Sequence, residues 1–366
     1  MPVVGVIGGG QLARMMIPAA VAMGIELRVL AEAPDASARL AATAVGDYRD
    51  EATVLAFARE CDVITFDHEH VPQSVLRALV AAGAAVHPGP DALLFAQDKL
   101  LMRERMSQLG VPQPDWARVE SADDLAGFLA DHGGRAVVKT PRGGYDGKGV
   151  RIVDDAHGAD DWLADGPVLA EELVSFEREL AQLVARRPSG DAQLWPLVET
   201  VQRGGVCAEV IAPAPQTTDA VERAAAEIAT AIAHGLGVTG VLAVELFAAS
   251  DGRVLVNELA MRPHNSGHVT IDGSVTSQFE QHLRAVLDWP LGDTRPLAAW
   301  GVMINVFGSL PDEKIAAALG HQSAAKVHAY GKGPRVGRKA GHVTVIGEEL
   351  DDVVYRARAA ASHFDA

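Results

Sequence analysis

Two glutamates, Glu245 and Glu258, flank an Asp-Gly pair in the run VLAVELFAASDGRVLVNEL at residues 241–259. Asp-Gly between two apolar runs is a strong signal for a two-residue hairpin turn. A turn at Asp251 and Gly252 pairs Ser250 with Arg253 and, counting outward, Glu245 with Glu258. The two carboxylates then face each other on one side of the sheet, with Cβ atoms roughly 5 Å apart. Their face-mates in that register, Ala243, Phe247, Val256 and Ala260, are apolar. Opposed like charges in such surroundings are destabilising unless a cation lies between them. A hard dication with oxygen ligands fits, and Mg²⁺ shared with substrate phosphates is its usual form. The bland alternative puts both glutamates on an exposed face, and a register slip of one residue would produce it.

A second cluster lies at residues 137–150, VVKTPRGGYDGKGV. Its closely spaced glycines let backbone N–H groups turn toward an anion. Lys139 ends a strand-like run and Lys148 sits within the loop. The Walker A pattern is absent. Alone, the loop reads equally well as an ordinary glycine-rich hairpin; beside a carboxylate pair that calls for Mg²⁺, it reads as a phosphate clamp.

The elements that would position these groups fall into three stretches. Residues 3–7, 27–30 and 63–66 are β-branched runs separated by helical spacing, with residues 85–86 a further candidate. This alternation implies a parallel sheet covered by helices. Residues 98–109 form a charged amphipathic helix stopped by Gly110, followed by strand candidates at 137–139, 150–153, 168–171 and 179–185. A helix over 219–234 precedes the hairpin, and strand-like runs recur at 302–307 and 343–346. The expected class is α/β and α+β. An N-terminal Rossmann-like domain at 1–97 precedes a nucleotide-binding region at 98–296, whose lid is 98–170, and a small β-rich C-terminal domain at 297–366.

The 366 residues carry a formal net charge of −16, which argues against nucleic acid or an anionic membrane as the partner. Cys61 and Cys207 form no ligand or disulfide pattern. No stretch reads as a signal or a membrane span, so a reducing cytoplasm is expected.

In order and spacing, Lys139, the GGYDGKG loop, Glu171 to Val174, Glu179, Glu245 and Asn257-Glu258 resemble the ATP-grasp superfamily. More closely, GGGQLARM at 8–15, NELAMRPHNSGH at 257–268 and SQFEQH at 277–282 resemble the 5-(carboxyamino)imidazole ribonucleotide synthases of purine biosynthesis. The resemblance implies an ATP-grasp fold for the central region. It also implies an ATP- and bicarbonate-dependent carboxylation of aminoimidazole ribonucleotide, with carboxyphosphate or CO₂ released from it as the carboxylating species.

The resemblance further implies roles. Lys99 and Lys139 would contact ATP, and Gly144, Tyr145, Asp146, Gly147, Lys148, Gly149 and Val150 would close over its phosphates. Glu171, Glu172, Leu173 and Val174 would read adenine, and Glu179 the ribose. Gln202 stands where the family often has histidine, beside the nucleotide. Glu245 and Glu258, next to Asn257, would hold Mg²⁺, with Mn²⁺ able to replace it. Arg262 and His264 would act on the bicarbonate-derived carboxyl, His264 with Asn265 and Ser266 also meeting the imidazole. Tyr145, Asp146 and Lys148 would border the ribonucleotide. Lys332 and Arg338, helped by Arg335, would take its 5′-phosphate, while Gln11 and Glu69 would touch the same substrate. A homodimer is implied, passing its product to a separate mutase.

Other readings remain beside this one. The N-terminal glycines match a dinucleotide fingerprint weakly, with Ala13 as the third position; the preferred reading is a turn that packs helix on sheet and presents Gln11. His68 and His70 alternate like metal ligands but read better as polar edge residues. The runner-up enzyme is another ATP-grasp ligase, such as a formate-dependent phosphoribosylglycinamide transformylase. A nucleotide-binding sensor without catalysis is a third class.

Overall fold

A computed structural model describes residues 1–144 and 148–365. The N-terminal β-branched runs form a four-stranded parallel sheet, ordered β3-β2-β1-β4 from β1 (Val3–Ile7), β2 (Glu26–Ala31), β3 (Ala42–Val45) and β4 (Val63–Phe66). The weakly apolar β3 carried no strand signal; it is mostly exposed at the sheet edge. Val86 contributes only a single parallel bridge to Ile64. The sheet buries Val4, Val6 and Val29 completely.

A small antiparallel sheet, ordered β5-β8-β6-β7, follows: β5 (Trp116–Val119), β6 (Ala136–Lys139), β7 (Val150–Val153) and β8 (Val168–Glu172). It has its own core of Val119, Leu125, Phe128, Val138 and Ala170. The helix Lys99–Leu109 ends at Gly110 in the left-handed region (φ 66°), where glycine relieves the Cβ clash. Its Met102 and Met106 pack into the central core with Ile228 and Ile232 of the helix Asp219–Gly235.

The large sheet is antiparallel and nine-stranded. Its path is β14-β13-β9-β11-β12-β15-β17-β16, with β10 beside β9. The strands are β9 (Phe176–Arg186), β10 (Ala192–Leu194), β11 (Val198–Arg203), β12 (Val206–Ala212), β13 (Gly240–Ala249), β14 (Val254–Ala260), β15 (Trp300–Gly308), β16 (Lys326–Ala329) and β17 (Arg335–Gly347). The C-terminal strands therefore extend the central sheet, because β15 pairs with β12 from Glu209↔Ile304 to Ala212↔Gly301. No helix among the described residues is long and apolar enough to cross a membrane.

Candidate active site

The carboxylate pair sits on β13 and β14, and Glu245 is registered opposite Glu258. The route to that pairing differs from the simple count. Ala249 N–H donates to the Arg253 carbonyl at 2.9 Å, which closes a three-residue loop, Ser250-Asp251-Gly252. Leu246 then faces Val256, and the next pair is Glu245 with Glu258, so Asn257 is an extra residue bulged from β14. The longer loop and the bulge offset each other. The bulge also corrects one face-mate: Val256 lies in the core with Val244 and Leu246, on the other side of the sheet from the glutamates.

Each carboxylate meets a donor from a different element. Lys99 Nζ lies 2.5 Å from Glu258 Oε1, and His264 Nε2 lies 3.2 Å from Glu245 Oε1. Burial pushes the Glu245 carboxyl up, but the His264 hydrogen bond and the charges of Lys339 and Arg262 hold it below the ordinary range. Glu179 is raised, by burial first and then by the Glu245 charge, against a hydrogen bond from Gln202. Among the described residues no group of three or more His, Cys, Asp or Glu side chains forms a metal cage. A facing pair of oxygen donors without further protein ligands suits a Mg²⁺ ion that completes its shell with phosphate oxygens and water.

Most of the residues expected at the nucleotide come from the small sheet and from its junction with the large one. Lys139 Nζ lies 2.7 Å from Glu171 Oε2 and 3.1 Å from Asn257 Oδ1. Glu171 and Glu172 end β8, and Leu173 and Val174 lead directly into β9, so this stretch is the hinge between the sheets. The N-terminus of the helix bearing Lys99 is capped by Asp98, whose other oxygen takes Arg142 Nε at 2.9 Å. In the loop, Gly149 has φ 70° and a Cβ there would fall 2.4 Å from Thr140 Oγ1. Gly144, Lys148 and Val150 flank the segment at this edge. The roles given to Tyr145, Asp146 and Gly147 lie outside the described residues.

A cleft of about 580 Å³ opens beside the glutamates, lined among others by Gln11, Glu69, Lys99, Gly144, Arg262 and His264. Arg262 donates through Nε to Glu69 Oε2 at 2.8 Å. Burial lowers the guanidinium pKa, but Glu69, Asp67 and Glu245 raise it by more. His264 Nδ1 accepts from the Ser266 backbone N–H, which leaves the proton on Nε2, facing Glu245. Asn265 and Ser266, expected to meet the intermediate and the imidazole, are not among the residues that line this cleft. Asn265 makes a reciprocal amide pair with Asn305 (3.0 and 2.7 Å), and Ser266 Oγ lies 2.9 Å from His264 Nδ1. Both are buried, and both brace the segment that presents His264.

A second cleft, about 520 Å³, is lined by Gly9, Gly10, Ser37, Lys332, Arg335 and Arg338. Lys332 Nζ donates to Gln11 Oε1 and so joins the two clefts. The loop carrying Lys332 is held by the N-terminal sheet: Arg14 binds the Ala329 carbonyl and Arg39 the Gly331 carbonyl.

Three contributors escaped the sequence reading. Asp67 accepts from Gly10 N–H (2.7 Å) and Ala13 N–H (2.8 Å), capping the helix Gln11–Ala22 from β4. This occupies the helix end that a dinucleotide pyrophosphate would need. Arg103, wholly buried, reaches the bulge carbonyls. Gln278 Oε1 accepts from His264 N–H and its Nε2 donates to the His264 carbonyl, both at 2.8 Å. Of these, only Gln278 stood in a quoted motif, SQFEQH.

Three family models match the chain: a ribonucleotide synthetase preATP-grasp domain at residues 1–97, an ATP-grasp domain at 104–279 and a phosphoribosylaminoimidazole carboxylase C-terminal domain at 301–356. The N5-carboxyaminoimidazole ribonucleotide synthase of Mycobacterium tuberculosis is 50% identical over 373 residues, spanning 98% of this chain and 87% of the relative. The structure of the Thermus thermophilus synthetase of that name superposes with a TM-score of 0.91 at 35% identity, covering 99% of both chains. An Aspergillus clavatus synthase, solved with ADP and 5-aminoimidazole ribonucleotide, gives 0.89 at 30% identity over 100% of this chain and 98% of that one. The chain belongs to the N5-carboxyaminoimidazole ribonucleotide synthase family, within the ATP-grasp carbon–nitrogen ligases.

Proposed function

We propose that this chain carboxylates the 5-amino group of 5-aminoimidazole ribonucleotide at the expense of ATP, with bicarbonate as the carbon source, in purine biosynthesis. The observation that carries the reading is the opposed Glu245–Glu258 pair with Arg262 and His264 on the same cleft. The similarity to a synthase solved with ADP and 5-aminoimidazole ribonucleotide supports the nucleotide and the ribonucleotide as substrates.

ATP would lie between the sheets, its adenine along Glu171 to Val174 and its ribose at Glu179, near Gln202. Lys99, Lys139 and the loop from Gly144 to Val150 would hold the phosphates. Mg²⁺, or Mn²⁺, bound by Glu245 and Glu258 would neutralise charge on the transferring phosphoryl group. Bicarbonate oxygen attacks the γ-phosphorus and ADP leaves, giving carboxyphosphate. The paired donors of Arg262 suit that dianion. His264, with its proton on Nε2, would donate to a carboxyl oxygen, a role that the Ser266 and Gln278 contacts support. The 5-amino nitrogen then bonds to the carboxyl carbon, of carboxyphosphate or of CO₂ freed from it, phosphate departs and the amine loses a proton. Lys332, Arg338 and Arg335 would bind the 5′-phosphate in the second cleft, with Gln11 and Glu69 on the ribose side.

The domain division at residues 97/98 and 296/297, a cytoplasmic homodimer and hand-over of the carbamate to a separate mutase belong to the same proposal. The test is ADP release. Bicarbonate with aminoimidazole ribonucleotide should stimulate it; stimulation only by formate with glycinamide ribonucleotide overturns the reading.

A further inference from the structure

We propose that Arg103 is a positioning residue that couples the nucleotide hinge to the metal-binding strand. The inference rests on the reading of Lys139 and Glu258 as Mg-ATP contacts. Arg103 itself lines neither cleft and is completely buried.

Its guanidinium uses all three nitrogens. Nε donates to Glu171 Oε1 at 2.6 Å, Nη1 to the Val256 carbonyl at 2.7 Å and Nη2 to the Asn257 carbonyl at 2.9 Å. Glu171 passes its other oxygen to Lys139, and Lys139 reaches back to the Asn257 side chain. The result is a closed ring, Arg103–Glu171–Lys139–Asn257, that joins β6 and β8 of the small sheet to β14 of the large one.

The bulge explains why an arginine stands here. An extra residue disrupts the local ladder, and buried carbonyls at that point need donors from elsewhere. A planar fork can serve two adjacent carbonyls and a carboxylate at once, which a lysine point charge cannot. Glu258 is the residue after the bulge, so the anchor that fixes Asn257 also fixes the approach of Glu258 to Glu245. Lys99, one helical turn before Arg103, already meets Glu258. One face of one helix therefore carries both a nucleotide-site contact and the clamp that sets the opposing strand.

The test compares Arg103→Lys, Arg103→Met and the double variant Arg103→Met/Glu171→Gln. The double change removes both charges, so the buried Glu171 carboxylate does not persist with Lys139 alone for a counter-ion, as it does in Arg103→Met. Calorimetry with Mg-ADP and steady-state kinetics should show affinity for the nucleotide down tenfold or more in all three. The KM for aminoimidazole ribonucleotide should stay within twofold, and the Mg²⁺ concentration for half-maximal rate should rise. Glu258→Gln separates the two ways of failing. Wild-type Mg²⁺ dependence in Glu258→Gln removes the metal reading itself. With that variant defective, Mg-ADP binding within twofold of wild type in Arg103→Lys or the double variant overturns the role of Arg103. An equal loss toward both substrates overturns it too, since that is the signature of general destabilisation.

Discussion

Replacing Gly10 with alanine isolates a single steric contact. Gly10 has φ −78° and ψ −166°, a conformation open to any residue, so alanine strains no backbone. An added Cβ would fall 2.0 Å from Asp67 Oδ2. The carboxylate must retreat and lose its bonds to Gly10 N–H and Ala13 N–H. Hydrogen bonds to a charged group contribute about 1.5–3 kcal/mol each. Restricting the unfolded chain returns about 0.4–1 kcal/mol. The net local loss is on the order of 2–5.6 kcal/mol, which speeds exchange of the Ala13 amide by roughly 30- to 10,000-fold. Native-state hydrogen exchange reads this directly, without assuming that a chain of several domains unfolds in one step. In Asp67→Ala the added methyl meets no carboxylate, so Gly10→Ala/Asp67→Ala should exchange no faster than Asp67→Ala alone. Ala13 exchange within twofold of wild type in Gly10→Ala, or additive effects in the double variant, would refute the argument. The glycine would then owe its place to something other than Asp67, such as a pyrophosphate.

Three further outcomes are expected. His282 accepts from Val241 N–H and meets Thr65 Oγ1, and burial lowers its pKa from 6.5 to about 3. Its neutral form stabilises the fold above pH 6.5, and stability falls as pH drops toward 3, with a slope of up to about 1.4 kcal/mol per unit; His282→Gln should flatten that limb in denaturation curves. Glu69 is held below its ordinary pKa: burial raises it, but Arg262 outweighs burial. Its contribution is present above about pH 4.5 and fades below, so Glu69→Gln should lose the acid-side dependence and lower kcat by freeing Arg262. Asn265→Leu alone should destabilise by about 1–3 kcal/mol by stranding Asn305, whereas Asn265→Leu/Asn305→Leu should recover part of that in a double-mutant cycle.

Local pattern carried three of the four strands of the parallel sheet, the helix stopped by Gly110 and the hairpin with its glutamates. What it could not carry depended on distant partners. Arg103 lies 153 and 154 residues from the carbonyls it binds, and Asp67 lies 57 from Gly10. No spacing rule reaches that far, and in the sequence Arg103 is one more charge on an amphipathic helix. The bulge at Asn257 was equally silent, since bulges answer to sheet geometry rather than composition. The pairing of Glu245 with Glu258 was legible only because a longer loop and an extra residue compensate. Asn265 and Ser266 show the converse: their motif is legible, but burial turns their side chains to bracing His264.

The merging of the C-terminal strands into the central sheet has a mechanistic consequence. Glu245, Glu258 and the strand beginning at Arg335 belong to one hydrogen-bonded sheet, so that sheet sets the spacing between the carboxylate pair and the Arg335 and Arg338 of the second cleft. The N-terminal sheet is clamped to the same unit through Arg14, Arg39 and the Glu69–Arg262 pair. The small sheet is the exception, with its own core and the short hinge after Glu172. Its loop nevertheless lends Gly143 and Gly144 to the cleft beside the glutamates, so a movement of the small sheet would change that cleft's lining. The buried ring through Arg103, Glu171 and Lys139 is where that movement would register on β14 and its Glu258.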